Sequence, residues 1–232
     1  MNLQQSVLWA GPFVRFQPLT IGGLEPTISN ANLVKQTMLG APFSWPWNRA
    51  ESDAIAITAG TQDYVAALPM WGFIEKAWFT ETTSGETKEL EVRSPLSKDS
   101  TKERPQFISV HKDDGQGNIT FRLMPNPSKA GTLTVMYQQK AVPMDSLASR
   151  WTPIPDELSY IYNPGFLAMT LPIVGSPLFP IYNDRFISHL LGAQQGLDET
   201  QRAIFLAKWL DVMKMAQRAQ METSQGIGGR QK

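Results

Sequence analysis

Apolar residues recur along this chain with two different periods, and the change of period divides it. In residues 27–40 the spacing is helical: Leu33, Val34, Thr37 and Met38 fall on one face. Thr27 or Ser29 can cap that helix, and Gly40 and Pro42 end it. Residues 53–143 shorten to runs of alternating character. These are Ala54 to Thr58, a turn at Gly60 leading into a strand near Tyr64, Phe73 to Thr80, Leu90 to Arg93, Phe107 to His111, and Asn118 to Met124. The clearest is Thr132 to Gln139, where Leu133, Val135 and Tyr137 alternate with Thr132, Thr134 and Met136. Asp113-Asp114-Gly115-Gln116-Gly117 reads as a hairpin loop.

From residue 144 the helical period returns. Pro155, Asp156 and Glu157 suit a helix start, and Pro164 is placed to kink that helix. A second helix spans about 178–195. The third opens on Asp198 and Gln201, which have capping-box spacing. Ala203, Leu206, Trp209, Leu210, Met213 and Gln217 then share one face, with Ile204 and Met215 opposite. Apolar residues on two faces suit a helix held between two partners, either both in its own domain or one in a neighbouring subunit.

The remaining stretches lack a period. Residues 1–26 contain Pro12, Pro18, Gly22, Gly23 and Pro26, and read as an extended arm anchored by Trp9 and Phe13. Such an arm lies on its own domain or reaches a neighbour, which makes Trp9 and Phe13, like Ile204 and Met215, candidates for a subunit interface. Residues 223–232 read as a flexible tail. Between the first helix and the strands stands Pro42-Phe43-Ser44-Trp45-Pro46-Trp47-Asn48-Arg49, whose prolines forbid regular helix. Phe43, Trp45 and Trp47 are expected to plug the end of a helix bundle. The predicted fold is α+β: a helical bundle (residues 27–52 and 144–222) interrupted by an antiparallel β insertion (53–143).

Composition narrows the function. The 232 residues carry 21 Lys plus Arg and 21 Asp plus Glu, so the basic excess of a nucleic-acid-wrapping protein is missing. With 0 Cys there is no thiol nucleophile, disulfide or thiolate-bound zinc. The first residues lack the pattern of a signal peptide. Seven Trp and ten Met supply contact area suited to cores and interfaces. No apolar run reaches the roughly 20 residues of a membrane span.

Candidate chemistry is sparse. The two histidines, His111 and His189, are not in zinc-binding spacing. Gly226-Ile227-Gly228-Gly229 has no strand before it or helix after it, so it is no dinucleotide fingerprint. Asp113 and Asp114 have turn composition without the terminal Glu of a calcium loop. No catalytic, metal or cofactor site is expected. The enzymatic alternative is a cell-wall hydrolase using Glu75, Glu81, Asp113 or Asp114 as acid and base.

A longer constellation carries a resemblance. Asn32-Leu33-Val34 precedes the Trp-rich segment 42–49, and Gly60-Thr61-Gln62-Asp63-Tyr64 comes after it. After the strands come Arg122-Leu123-Met124-Pro125-Asn126-Pro127, Leu133-Thr134-Val135-Met136-Tyr137 and Pro153-Ile154-Pro155-Asp156-Glu157-Leu158. Over residues 27–222 this resembles the head-to-tail adaptor (connector) proteins of tailed bacteriophages. The resemblance implies a structural virion protein of the neck, assembled in the host cytoplasm as a ring, commonly dodecameric. It implies contacts with the portal protein and a downstream tail or nozzle protein. Double-stranded DNA would pass through the ring without sequence recognition. Portal docking would fall to the last helix and tail, including Met221, Ile227 and Arg230. The alternative within the virion is another tail or baseplate subunit.

Overall fold

The computed structural model describes residues 1–14, 21–94, 97–98, 101–171, 177–194 and 196–227. The chain is mixed α+β and divides into two compact units, one of residues 1–43 with 141–232 and one of residues 44–140. No helix among the described residues is long and apolar enough to cross a membrane.

The first unit contains α1 (Leu3–Val14), α2 (Ile21–Leu39), α3 (Ser159–Thr170), α4 (Phe179–Gly192) and α5 (Glu199–Ile227). Helix α1 overturns the expected extended arm. Asn2 and Gln5 cap it reciprocally: each backbone N–H donates to the other's side-chain oxygen at 2.9 Å. Leu3, Ser6, Val7 and Ala10 form its buried face. Pro12 removes only one backbone bond near the helix end, which this packing outweighs. Helix α2 likewise begins at Ile21, so Thr27 and Ser29 are interior residues rather than caps.

Helix α3 packs against both α2 and α4, and Gly165 permits the approach. A Cβ on Gly165 would stand 2.7 Å from Phe186 and 2.9 Å from Val34. Helix α5 has the cap its sequence announces. Asp198 N–H donates to Gln201 Oε1 at 3.1 Å, and Gln201 N–H to Asp198 Oδ1 at 2.7 Å. The helix continues to Ile227, so the tail predicted at 223–232 is helical in its first half; residues 228–232 lie outside the described residues. A single Gly226 does not stop a helix that is already nucleated.

The segment returning to this unit after residue 140 is tied to α2 by two polar side chains. Asn32 donates to Met144 O at 2.9 Å and accepts Met144 N–H at 2.6 Å. Lys35, 2% exposed, donates to Val142 O at 2.8 Å. Burial pushes its ammonium down to about 8. Trp151 completes the attachment by donating to Ser6 Oγ at 2.9 Å and stacking on Tyr162 at 4.4 Å.

The second unit contains β1 (Arg49–Glu51), β2 (Ile55–Ile57), β3 (Asp63–Ala67), β4 (Trp71–Glu81), β5 (Thr87–Val92), β6 (Lys102–Glu103), β7 (Phe107–Asp113), β8 (Asn118–Met124), β9 (Asn126–Pro127) and β10 (Gly131–Gln139). Its main sheet runs β1-β10-β4-β5-β7-β8-β3, with β2 also on β10. The sheet is curled, and both ends contribute to one core, Ile57 from β2 and Tyr64 from β3. The expected alternation along β10 holds: Leu133, Val135 and Tyr137 are buried. The expectation of purely antiparallel pairing does not hold. β5 pairs β7 in parallel because a crossover rather than a hairpin joins them, and β6 pairs β9 in parallel in a separate two-stranded sheet.

The helical unit can be probed at its tightest crossing and at its buried charge. Gly165→Ala should lower unfolding free energy by about 1–3 kcal/mol, measured by denaturant titration, because the added methyl overpacks a helix crossing. Lys35 is charged in both states below its folded value of about 8, so the cost of burying that charge is then fully present. Between about 8 and the ordinary 10.5 only the unfolded chain holds the proton, so stability rises with pH across that window. Wild type should therefore gain about 1–3 kcal/mol relative to Lys35→Met between about pH 7.5 and 10, read by unfolding at each pH.

Candidate interaction surfaces

The proline-bounded segment crosses the division between the two units. Phe43, fully buried, belongs to the helical unit and packs on Phe205 of α5 with ring centroids 4.8 Å apart. Trp45 and Trp47 belong to the β unit, with rings 5.2 Å apart. The boundary between units falls between them, so residues adjacent in sequence belong to different units.

A polar clasp fixes Trp45. Its N–H donates to Gln138 Oε1 at 3.1 Å and its carbonyl accepts Gln138 Nε2–H at 3.2 Å. Gln138 also donates to Glu75 Oε2 at 2.6 Å, and Glu75 accepts both arms of the Arg49 guanidinium. Burial pushes the Glu75 carboxyl up, but Arg49 and Gln138 together hold it below the usual carboxylate range. Asn48 donates to Gln139 O at 2.8 Å and reinforces the attachment. Trp45 is thus buried, whereas Trp47 is half-buried.

Among the described side chains of α5 the buried ones are Phe205, Trp209 and Met213, spaced by one helical turn. Trp209 rests on Phe186 at 4.7 Å and donates to Asn183 Oδ1 at 2.8 Å. The predicted face is corrected: Ala203, Leu206 and Leu210 are exposed, Leu210 by 57%. The apolar arc of α5 is wider than its neighbours cover, and the pattern in the sequence centres it one residue too far round. Phe205, absent from the predicted face, supplies the i, i+4, i+8 series. Between α2 and α5 lies a cavity of about 260 Å³ lined by Leu33, Thr37, Gly40, Phe205, Trp209 and Val212.

The interface candidates fall on two helices. Ile204 is exposed on α5, and Met215 lies in its helical backbone. Trp9 is 37% exposed and Phe13 half-buried on α1. Both pack on Tyr182 of α4, at 6.5 and 5.3 Å. The Arg185 guanidinium lies over that ring at 5.4 Å. Met221 and Ile227 lie in the helical backbone of α5, and Arg230 is outside the described residues.

The side chains with chemical potential have local partners. Asp113 Oδ1 accepts Gly115 N–H at 2.8 Å, and Asp114 Oδ1 accepts Gln116 N–H at 2.7 Å. Asp114 also takes the Asn118 amide at 2.6 Å, which makes these carboxylates part of their own turn. Glu81 accepts Lys129 Nζ–H at 2.6 Å. His189 Nδ1 lies 2.9 Å from Tyr160 O. Asp63 and Arg122 form a two-pronged pair at 2.7 and 2.9 Å, and the guanidinium holds the Asp63 carboxyl below its usual range.

Replacing each Trp by Ala should separate their roles. Trp45→Ala should cost about 3–5 kcal/mol in unfolding free energy and Trp47→Ala only about 1–2 kcal/mol, by chemical denaturation. Comparison with protein-family models and with curated proteins finds no match to this chain.

Proposed function

We propose that the chain is a non-catalytic virion protein, a ring-forming head-to-tail adaptor that joins the portal to the tail and leaves a channel for DNA. The observation that carries this reading is the uncovered apolar flank of α5. Ala203, Leu206 and Leu210 continue the same arc that packs Phe205, Trp209 and Met213, and they lack cover within the described residues. Such a flank suits packing against another chain. The division of the chain into a helical unit and a β unit supports this reading. A ring needs two unlike surfaces on each subunit. Trp9, exposed on α1 above Phe13 and the buried Tyr182, offers a second apolar position of the kind found at interface hot spots.

The test is assembly with the portal of the same particle, followed by light scattering and electron microscopy. Wild type should form a ring on the portal. The double substitution Leu206→Asp and Leu210→Asp should fold with little change in stability, since both positions are exposed, yet fail to assemble. A wild-type protein that associates with neither portal nor tail component would refute the adaptor reading.

A further inference from the structure

The two edges of the curled sheet differ. The edge beside β10 is built of two three-residue strands, β2 and β1, and β1 carries Arg49 and Glu51, the charges with which proteins guard an exposed edge. β3 is longer, and after Asp63 its residues are Tyr64, Val65, Ala66 and Ala67. Two backbone bonds set its phase. Leu123 N–H donates to Gln62 O at 2.9 Å, and Leu68 N–H donates to Gly117 O at 2.7 Å. In the antiparallel register with β8, where Val65 faces Thr120, bonded pairs alternate with unbonded ones. Tyr64 and Ala66 therefore direct their N–H and C=O groups to β8. Asp63, Val65 and Ala67 direct theirs away from it, to the open edge. Among the described residues the sheet has no further strand on that side. Val65 is 66% exposed and Ala67 is exposed as well.

We infer that this edge pairs with the β3 edge of a second copy, antiparallel and across a two-fold axis at Val65. The edge is self-complementary in that register. Asp63 faces the second copy's Ala67, so the carboxylates stand at opposite ends and no like charges meet. Val65 faces its own symmetry mate, which gives an apolar cross-strand pair where an edge usually carries a lysine. Asp63 is already neutralised by Arg122 within its own chain. Strands of this length cover far less than the roughly 1,200–2,000 Å² of a stable interface. The pairing is accordingly weak, appearing at about 0.1–1 mM protein. It is a two-fold contact, independent of the head-to-tail contacts of a ring, and does not rest on the adaptor reading.

Because Val65 faces itself, a charge exchange tests both contact and symmetry. Sedimentation of the full chain up to about 1 mM should show a reversible dimer. Val65→Lys alone and Val65→Glu alone should each weaken dimerisation at least tenfold, while an equimolar mixture of the two recovers it. Val65→Pro, which removes only an outward N–H, should abolish it with the melting curve retained. Four results would each overturn the inference: a wild type that stays monomeric, single-charge variants that dimerise like wild type, a mixture that fails to recover dimerisation, or a Val65→Pro protein that dimerises unchanged with its melting curve retained.

Discussion

The helical unit depends on a buried lysine held by backbone. Lys35 brings an ammonium into the interior of α2, and the partners it finds there are the carbonyls of the chain returning from the β unit, Val142 first and Arg150 at longer range. Those carbonyls give the buried ammonium the acceptors it would otherwise lack, so the segment stabilises the cation. Asn32, one turn earlier, repeats the logic with both its donor and its acceptor on Met144. Helices α3 to α5 come after this attachment in the chain. A slip of the segment along α2 would leave Lys35 charged and unpaired inside the unit, so one register is favoured over all others.

The same segment also explains α1. Leu3 N–H donates to Ser149 O and Gln4 N–H to Leu147 O, both at 2.9 Å. Two of the unpaired amides at the start of the helix are satisfied by distant residues. Trp151 then covers Ser6, the one polar residue on the buried face of α1. The segment 141–151 therefore serves as mortar between α1 and α2, although it has little regular structure of its own.

Much of this is legible in the residues. The strand at β10, the capped start of α5 and the hairpin after β7 arise from local pattern, and the structure keeps them. Helix α1 is legible too: Asn2 and Gln5 have the spacing of Asp198 and Gln201. It is masked by Ser6 within the apolar face and by Pro12 near the end. The split of Phe43 from Trp45 is not legible, because a unit boundary depends on which distant side chains, Phe205 and Gln138, each aromatic meets. The phase of β3 is hidden for a similar reason. Which of its residues turn their amides outward is decided by β8, more than fifty positions away.

The clasp between Trp45 and Gln138 brings the two ends of the β unit side by side. In the helical unit the matching ends, Phe43 and Val142, are both anchored through α2, by Gly40 and Lys35. Entry and exit are thus adjacent in the β unit, and in the helical unit both are tied to one helix. A unit joined in this way behaves as a cassette. Its strands can lengthen, its loops can change and its outer face can be rebuilt for a different neighbour, while the helices keep a frame that registers only two chain ends held on α2.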